Sequence, residues 1–365
     1  MTAGTGPTRD LRSLPKAHLH LHFTGSMRPA TLSDLELRHG LRLPALLREH
    51  HLLRVPATER GWFRFQRLYD AARACVRDEA DMRRLVHEAA ADDAAEGSRR
   101  LELQLDPTSY APLVGGLTPA LEVVLDAARD ASAATGCDVA VVVAASRLRH
   151  PLEARTLARL AARYAGDGAG EVVGFGLSND ERRGSTDDFA PAFDIARRAG
   201  LAAVPHGGEL LGAAHVGQVL TALRPDRLGH GVRAVEDPEV LARVVGTGTG
   251  LEVCPTSNVG LGIYPRVADV PVPALLAAGA RVALGADDPL LFGSRLTEQY
   301  EHARVTWGMD DVALAGLARE SLLLSRAPAA QVQGWLGEVD AWLAAPGQSV
   351  RPGESVRPGE SVRPG

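Results

Sequence analysis

The chain has 365 residues, of which 45% are hydrophobic and 23% are charged, and its formal net charge is −5. This length and apolar content are sufficient for a large buried core and suit a single barrel-sized domain. The negative charge, and the lack of a basic cluster interleaved with aromatic residues, exclude nucleic acid as an expected partner.

Cysteine usage and the N-terminal sequence bear on the compartment. The three cysteines, Cys75, Cys137 and Cys254, are far apart and form no CxxC pair, so they predict neither a disulfide framework nor a thiolate zinc site. The first residues, MTAGTGPTRDLRSLP, lack an apolar leader, and no apolar run reaches about 18 residues. We therefore expect a cytoplasmic protein that does not span a membrane.

Eight short segments are rich in apolar and β-branched residues and are followed by polar or turn residues, a pattern typical of buried strands. These predicted strands are Ala17–His22, Leu101–Asp106, Asp138–Ala144, Val172–Ser178, Ala202–His206, Arg227–His230, Gly250–Pro255 and Arg281–Asp287. Stretches with helical periodicity separate them. Because parallel pairing needs a helix-length return, this alternation predicts the α/β class and a (β/α)8 TIM-type barrel.

The first crossover, from about Phe23 to Arg100, is unusually long and contains additional helical patterns after the first strand. It also holds a group of four aromatic residues: Trp62, Phe63, Phe65 and Tyr69. Two interpretations remain open for this group. The aromatics either extend the packing outside the barrel or form an apolar lid over the carboxyl ends of the strands.

The C-terminal residues form a six-residue repeat. SVRPGE begins at Ser349 and again at Ser355, and a partial copy ends at Gly365. Each copy contains Pro and Gly and has almost no apolar content, which predicts disorder rather than a repeat fold. We therefore predict one hydrolase-type barrel domain over residues 1–345 and a disordered tail over residues 346–365.

The first strand carries histidines at alternate positions, His18, His20 and His22. Alternation places all three on one face of the strand, which in a barrel is the interior. Two imidazoles near the carboxyl end of one strand can bind one metal ion. A lone HxH motif is weak evidence, since buried histidines satisfied by hydrogen bonds are common.

Two further ligand-type residues end other predicted strands. His206 follows Ala202–Pro205 directly, and Asp287 closes the eighth strand. Active sites of such barrels lie at the carboxyl ends of the strands, so we expect these residues to meet His20 and His22. Three imidazoles and one carboxylate form a donor set suited to Zn²⁺, and we predict one ion per chain.

Acid and base groups surround the predicted metal site. Glu209 lies in HGGE after His206, His230 ends the sixth strand in LGHG, and Asp288 follows Asp287. A hydrolytic deaminase needs a water of lowered pKa, a base for that water, and an acid for the ring nitrogen. The structural alternatives are a helix N-terminal acid for Glu209 and a core histidine for His230.

Six motifs together resemble the adenosine deaminase family of the amidohydrolase superfamily, over roughly residues 12–340. They are PKAHLHLHFTGSMRP (Pro15–Pro29), GFGLSNDE (Gly174–Glu181), HGGEL (His206–Leu210), RLGHGV (Arg227–Val232), LEVCPTSN (Leu251–Asn258) and LGADDPLLFG (Leu284–Gly293). The resemblance implies zinc-dependent conversion of a 6-aminopurine nucleoside to its 6-oxo product with release of ammonia. It also implies that four residues bind the metal: His20, His22, His206 and Asp287.

The resemblance further implies a role for individual residues around the purine. Glu209 would protonate N1, while His230 and Asp287 would position the attacking water and help to deprotonate it. Asp288 would hydrogen-bond N7, and the segment Gly176–Asp180 would bring a backbone N–H to N3. The remaining implied substrate contacts are His22, Thr24, Gly25, Ser178 and Asn179.

Several positions depart from the family pattern. Thr24 stands where the family usually has an Asp that holds the ribose 5′-hydroxyl, and Thr is a weaker acceptor. His18 replaces a common acid, Asn179 a common Gly and Gln104 a common Arg. These changes resemble the branch that deaminates aminodeoxyfutalosine in menaquinone biosynthesis, whose substrate carries a carboxyphenyl extension at C5′. Adenosine is the alternative, followed by adenine or another 6-aminopurine.

Two other classes of function fit the sequence less well. Amidases and phosphotriesterases of the same superfamily often bind two metals with a Lys ligand, but the only lysine is Lys16, at the start of the first strand. A non-catalytic binding protein on this barrel would be expected to have lost Glu209, His230 or a metal ligand, and all are present.

Overall fold

A computed structural model describes residues 9–346, so most of the predicted disordered tail lies outside the described residues. Eight parallel strands form one sheet in the order β1 to β8. They are β1 Lys16–His22, β2 Ser98–Leu105, β3 Asp138–Ser146, β4 Val172–Ser178, β5 Ala202–Gly207, β6 Arg227–His230, β7 Gly250–Val253 and β8 Val282–Leu284.

The sheet closes between its first strand and the residues that follow its last. His22 N donates to Asp287 O at 3.0 Å, and Asp287 N donates to His20 O at 3.0 Å. Leu21 and Asp287 form an isolated parallel bridge at the same place. The predicted TIM-type barrel is therefore confirmed, and its closing hydrogen bonds join the backbone of three predicted metal ligands.

Helices connect the strands and surround the barrel. In the described chain the α-helices are α1 Pro29–Arg38, α2 Ala45–Arg48, α3 Glu59–Arg73, α4 Glu79–Ala95, α5 Ala111–Val114, α6 Leu117–Thr135, α7 Pro151–Arg163, α8 Ala190–Arg198, α9 Ala213–Leu223, α10 Pro238–Thr247, α11 Pro255–Gly260, α12 Val272–Ala277, α13 Pro289–Phe292, α14 Leu296–Val305, α15 Asp311–Leu324 and α16 Ala329–Ala344. Short 3₁₀ helices occupy Leu11–Ser13, Pro107–Ser109, Thr186–Phe189, Val232–Glu236 and Val267–Asp269. Across residues 9–346, no helix is long and apolar enough to cross a bilayer.

Strand boundaries differ from the sequence prediction mainly at the seventh and eighth strands. β7 ends at Val253 because Pro255 is the first residue of α11, where its missing N–H costs no helical hydrogen bond. β8 ends at Leu284, and Asp287 has a φ of 64°. The turn away from extended structure aims the Asp287 side chain into the barrel mouth rather than along a strand face.

The long first crossover contains the predicted additional helices, α1 to α4. Trp62, Phe65 and Tyr69 on α3 line a cavity at the carboxyl ends of the strands, and Phe65 also stacks on Phe292 at 5.8 Å. Phe63 faces outward and is 65% exposed. Three members of the aromatic group therefore line the cavity, and the fourth, Phe63, does not.

Candidate active site

A cavity of about 300 Å³ lies at the carboxyl ends of the barrel strands. Its floor contains His22, His206 and Asp287, which end different strands or follow them directly, as predicted. α3 forms its apolar wall. Since strand ends are held rigidly by the sheet, side chains placed there keep a fixed mutual geometry.

The four predicted metal ligands converge. His20, His22 and His206 each offer a ring nitrogen, and these atoms lie within 4.8 Å of one another. Asp287 Oδ1 lies 3.2 Å from His22 Nε2 and 3.5 Å from His20 Nε2. The rings of His20 and His206 are 4.8 Å apart between centroids. The four side chains, which are up to 267 positions apart in sequence, therefore lie around a common centre.

The chemistry of this cluster fits a borderline divalent cation. His20 Nε2 is buried and has no hydrogen-bond partner within the described part of the chain. A buried, unpaired ring nitrogen among two more imidazoles and a carboxylate is costly unless a positive charge binds there. Imidazole nitrogens together with a carboxylate oxygen suit a borderline divalent cation such as zinc.

Asp287 is held as a carboxylate. Burial by itself raises the pKa of this group, but the adjacent imidazoles of His20 and His22 outweigh it, so the pKa lies well below its usual range. A short hydrogen bond from Ser257 Oγ reaches Asp287 Oδ2, and His230 Nε2 lies 3.9 Å from the same oxygen. Asp287 can therefore serve both a cation and a neighbouring water.

Three residues of the site have a positive φ. Asn179, His230 and Asp287 have φ values of 80°, 64° and 64°. Non-glycine residues rarely adopt this left-handed region, and such strain is concentrated at functional sites. Asn tolerates it best, because its side chain hydrogen-bonds locally. Here Asn179 Oδ1 accepts from Asp180 N at 2.8 Å, which explains how Asn stands where a Gly is common.

Glu209 and His230, the predicted acid and base, lie next to each other. His230 Nε2 lies 3.4 Å from Glu209 Oε1, and the side-chain amide of Asn258 lies 3.3 Å from His230 Nδ1, which orients the ring. Burial raises the pKa of Glu209 well above its usual range, and the Asp287 charge adds to this. Burial lowers the pKa of His230 to about 4. The surroundings of the pair therefore favour a proton on the Glu209 carboxyl and disfavour one on the His230 ring.

Asp288 occupies a slot that depends on Gly25. A side chain at Gly25 would place its Cβ 1.8 Å from Asp288 Oδ1, so only glycine leaves room for that carboxyl. Burial raises the pKa of Asp288 well above its usual range, and the neighbouring Asp287 charge raises it further. A carboxyl that keeps its proton can donate a hydrogen bond to a ring nitrogen.

Thr24 is buried, and its hydroxyl forms a hydrogen bond with another side chain. Thr24 Oγ1 lies 2.5 Å from the hydroxyl of Tyr110, which follows β2 and also lines the cavity. Ser178 and Asn179 line the same cavity at the end of β4. The predicted substrate contacts are thus brought together. Tyr110 was not foreseen, because nothing in its sequence spacing marks it.

His18 lies outside the metal cluster. Its Nδ1 lies 3.0 Å from Asp93 on α4, and its Nε2 accepts from Ala286 N at 3.0 Å. The strand pairing of β1 shifts register between His18 and Leu21. His18 therefore fastens the segment after β8, which carries Asp287, to the first strand.

A network of buried charged residues contacts His20 at Nδ1 of its ring. Glu252 Oε2 lies 2.9 Å from His20 Nδ1, and Glu252 Oε1 accepts from Arg227 Nε at 2.6 Å. Arg227 Nη2 in turn contacts Glu102 Oε2 at 2.5 Å. Sequence reasoning missed this network. The signal was available, since a charged residue in the middle of an apolar strand such as Leu251–Val253 requires a buried partner.

Replacing Glu252 by Gln is expected to weaken metal binding by about 10–100-fold, because a carboxylate behind a ligating imidazole orients the ring and raises its basicity. The dissociation constant is measured by competition with a chelator on folded protein. Glu320→Gln, which removes a carboxylate paired with Arg281 at the surface, is the control and keeps the parent affinity. An unchanged affinity in Glu252→Gln contradicts this supporting role.

Comparisons with known proteins identify the family of the chain. The adenosine deaminase family model matches residues 15–342. A relative from Streptomyces virginiae, provisionally named adenosine/adenine deaminase, is 57% identical over 336 residues, which cover 92% of this chain and 98% of that protein. An adenine deaminase of Agrobacterium fabrum strain C58 is 33% identical over 309 residues, covering 85% and 93%.

A solved structure gives the same result for the fold. The crystal structure of adenine deaminase from Arthrobacter aurescens superimposes with a TM-score of 0.82 and 29% identity, covering 91% of this chain and 100% of that one. The family match spans nearly the whole described barrel, including every strand that contributes to the site. The chain therefore belongs to the adenosine deaminase family of the amidohydrolase superfamily.

Proposed function

We propose that the protein catalyses the metal-dependent hydrolytic deamination of a 6-aminopurine, with one zinc ion per chain. The observation that carries the proposal is the convergence of three imidazoles and the Asp287 carboxylate beside a protonated acid, Glu209, and a neutral base, His230. Each chemical requirement of such a reaction has a side chain in the cavity. The proposed domain spans residues 1–345.

His20, His22, His206 and Asp287 would hold the ion. When bound, zinc supplies a Lewis acid that lowers the pKa of a coordinated water toward neutrality. The protein side chains perform the rest of the reaction. Glu252 fixes the ring of His20, and Ser257 fixes the second oxygen of Asp287, so the ligands are oriented before substrate arrives.

Glu209 and His230 carry out different proton transfers. The Glu209 carboxyl donates its proton to purine N1, which makes C6 more electrophilic. His230, with Asp287, orients the water and takes its proton as the oxygen adds to C6. The bond from C6 to the exocyclic nitrogen then breaks as that nitrogen takes the proton held by His230 and leaves as ammonia. The remaining hydroxyl proton on the C6 oxygen passes to Glu209, which restores its carboxyl and leaves a 6-oxo group on the ring. Proton transfers of this kind contribute about 10²–10⁴-fold each.

The remaining contacts orient the purine. The protonated Asp288 carboxyl donates to N7, which is an acceptor, and Gly25 provides the space for it. The backbone at Ser178 and Asn179 presents an N–H to N3. His22 completes the floor, and its ring lies next to the reacting carbon.

For the substrate, we propose a nucleoside extended at C5′, aminodeoxyfutalosine. Thr24 presents no carboxylate to a 5′-hydroxyl, and its own hydroxyl is bound to Tyr110. Beyond this position the cavity is walled by Trp62, Phe65 and Tyr69, a surface suited to an aromatic ring. Arg73 and Arg149 also line the cavity and are the candidates to bind a carboxylate.

Adenine is the second candidate, and a different observation favours it. The names of the Streptomyces and Agrobacterium relatives include adenine as a substrate, at 57% and 33% identity. Adenosine shares the first of these names. A cavity of about 300 Å³ is also large enough for a free base.

The zinc-loaded protein is expected to deaminate aminodeoxyfutalosine with a kcat/KM at least about tenfold above those for adenosine and adenine. The reason is that a hydrogen bond to a charged group contributes about 1.5–3 kcal/mol, and 1.4 kcal/mol corresponds to tenfold. Ammonia release is measured for each purine under the same conditions.

The control is the double variant Arg73→Gln, Arg149→Gln. It should lose the preference for the carboxylate-bearing nucleoside and leave the kcat/KM for adenine unchanged. A wild-type protein that prefers adenine or adenosine overturns the choice of substrate, while the deamination itself would stand.

A further inference from the structure

The loop that carries the proposed proton donor has almost no regular structure of its own. Residues 208–212 join β5 to α9, and Gly208 has a φ of 78°. This loop places Glu209 three residues after His206. Three consecutive backbone N–H groups, those of Glu209, Leu210 and Leu211, have no carbonyl acceptor among residues 9–346.

One buried carboxylate satisfies all three of these donors. Glu181 Oε1 accepts from Glu209 N at 3.1 Å, and Glu181 Oε2 accepts from Leu210 N at 3.0 Å and from Leu211 N at 2.8 Å. The Glu181 side chain is fully buried. Because N–H groups removed from water are costly when unsatisfied, Glu181 stabilises this loop conformation. Arg233 stabilises the carbonyl side of the same loop, donating from its backbone N–H to Gly208 O at 3.1 Å and from Nη1 to Leu210 O at 2.8 Å.

Glu181 is itself part of a polar cluster that holds the other end of the loop. His215 Nδ1 lies 3.5 Å from Glu181 Oε2, and His215 Nε2 lies 3.3 Å from Thr186 Oγ1. Arg147 donates from Nη1 to Thr186 Oγ1 at 3.1 Å and from Nη2 to the carbonyl of His206 at 3.0 Å. The cluster therefore holds both the carbonyl of a metal ligand and the amide of the acid.

We propose that Glu181 is a positioning residue, which places the Glu209 carboxyl against the purine by holding the backbone of residues 209–211. This inference rests on the proposed function. Glu181 neither lines the cavity nor belongs to the candidate metal clusters of the described residues, so we expect it to act through Glu209. A displacement of about 1 Å at a catalytic group can cost on the order of 10²-fold in rate.

Glu181→Gln is the direct test. The amide keeps one oxygen acceptor but turns a donor toward the remaining N–H groups, so at least one backbone hydrogen bond is lost. We expect kcat to fall on the order of 10²-fold, with the metal content unchanged and faster hydrogen exchange at the amides of residues 209–211. A purely structural role would lower Tm and leave the kcat of folded, metal-loaded enzyme intact, which overturns the proposal.

A double-mutant cycle shows whether the effect passes through Glu209. In a Glu209→Gln background, Glu181→Gln should cause no further loss in single-turnover rate. Losses that multiply overturn the proposal. If Glu209→Gln alone has no effect, the acid role under the proposed function fails instead, so the two failures are distinguishable.

Two more variants complete the design. Glu181→Asp keeps the charge and both acceptors but is one methylene shorter, so its kcat should lie between those of wild type and Glu181→Gln. A wild-type kcat in Glu181→Asp and in Glu181→Gln overturns the proposal. Glu171→Gln is the matched control, since Glu171 accepts from the backbone N–H groups of Asp167 and Gly168, both at 2.9 Å, in a loop before β4. Its kcat should not change.

Discussion

Replacing Glu209 by Gln lowers kcat by about 10²–10⁴-fold, the contribution of a well-placed proton donor. The amide fills the same space but has no proton to transfer to N1. Burial and the Asp287 charge hold the pKa of Glu209 well above its usual range, which favours the protonated carboxyl that this role requires. The rate of ammonia release and the metal content per chain are the two measurements.

Two variants make this result specific. Glu209→Asp keeps a carboxyl but shortens it, so its kcat should be intermediate. Glu239→Gln, at an exposed site in the first turn of α10, is the control and should keep the wild-type kcat. A Glu209→Gln protein that turns over at the wild-type rate refutes the acid role, provided that it is folded and loaded with metal.

Removal of the metal is expected to abolish activity and to lower the stability of the fold. Ligand binding to the native state alone adds about 4.1 kcal/mol to the free energy of unfolding when the free ligand is about 1,000 times its Kd. Dialysis against a chelator should therefore lower Tm, and one equivalent of zinc per chain should restore both Tm and ammonia release.

A second acidic cluster provides the control for this experiment. His39, Asp78 and Asp81 also lie close enough to hold a cation, but Arg38 donates to both carboxylates, at 2.9 Å to Asp78 and 2.8 Å to Asp81. Asp78→Asn should leave the metal content at one ion per chain, whereas His206→Ala should abolish binding. Metal content that falls with Asp78→Asn and not with His206→Ala contradicts the assignment.

The sequence was sufficient to predict the barrel because its strands are short apolar runs with a helix-length stretch between them. The predicted C-terminal ends of β7 and β8 were the least accurate. β7 ends before Pro255, and β8 ends before Asp287, whose φ is positive. Such local backbone choices depend on tertiary contacts, here the backbone hydrogen bonds from His22 and Asp287 that close the barrel.

The part of the site that could be predicted consists of residues at strand ends, since the topology alone brings those together. His20, His206 and Asp287 are of this kind. The supporting residues could not be assigned in the same way. Glu181 contacts backbone amides of the loop 208–212, and Glu252 contacts a ring nitrogen of β1. A charged residue in an apolar strand indicates that Glu252 has a buried partner, but no sequence spacing identifies which residue that partner is.

The central claim is that a metal held at His20, His22, His206 and Asp287 supports hydrolytic deamination at purine C6. The most direct measurement is incubation of the zinc-loaded protein with aminodeoxyfutalosine, adenosine or adenine in ¹⁸O-labelled water. The account predicts one ammonia for each 6-oxo purine formed, with one ¹⁸O at C6, and no product from the chelated protein. If protein carrying one zinc per chain releases no ammonia from any of the three purines, the account is contradicted.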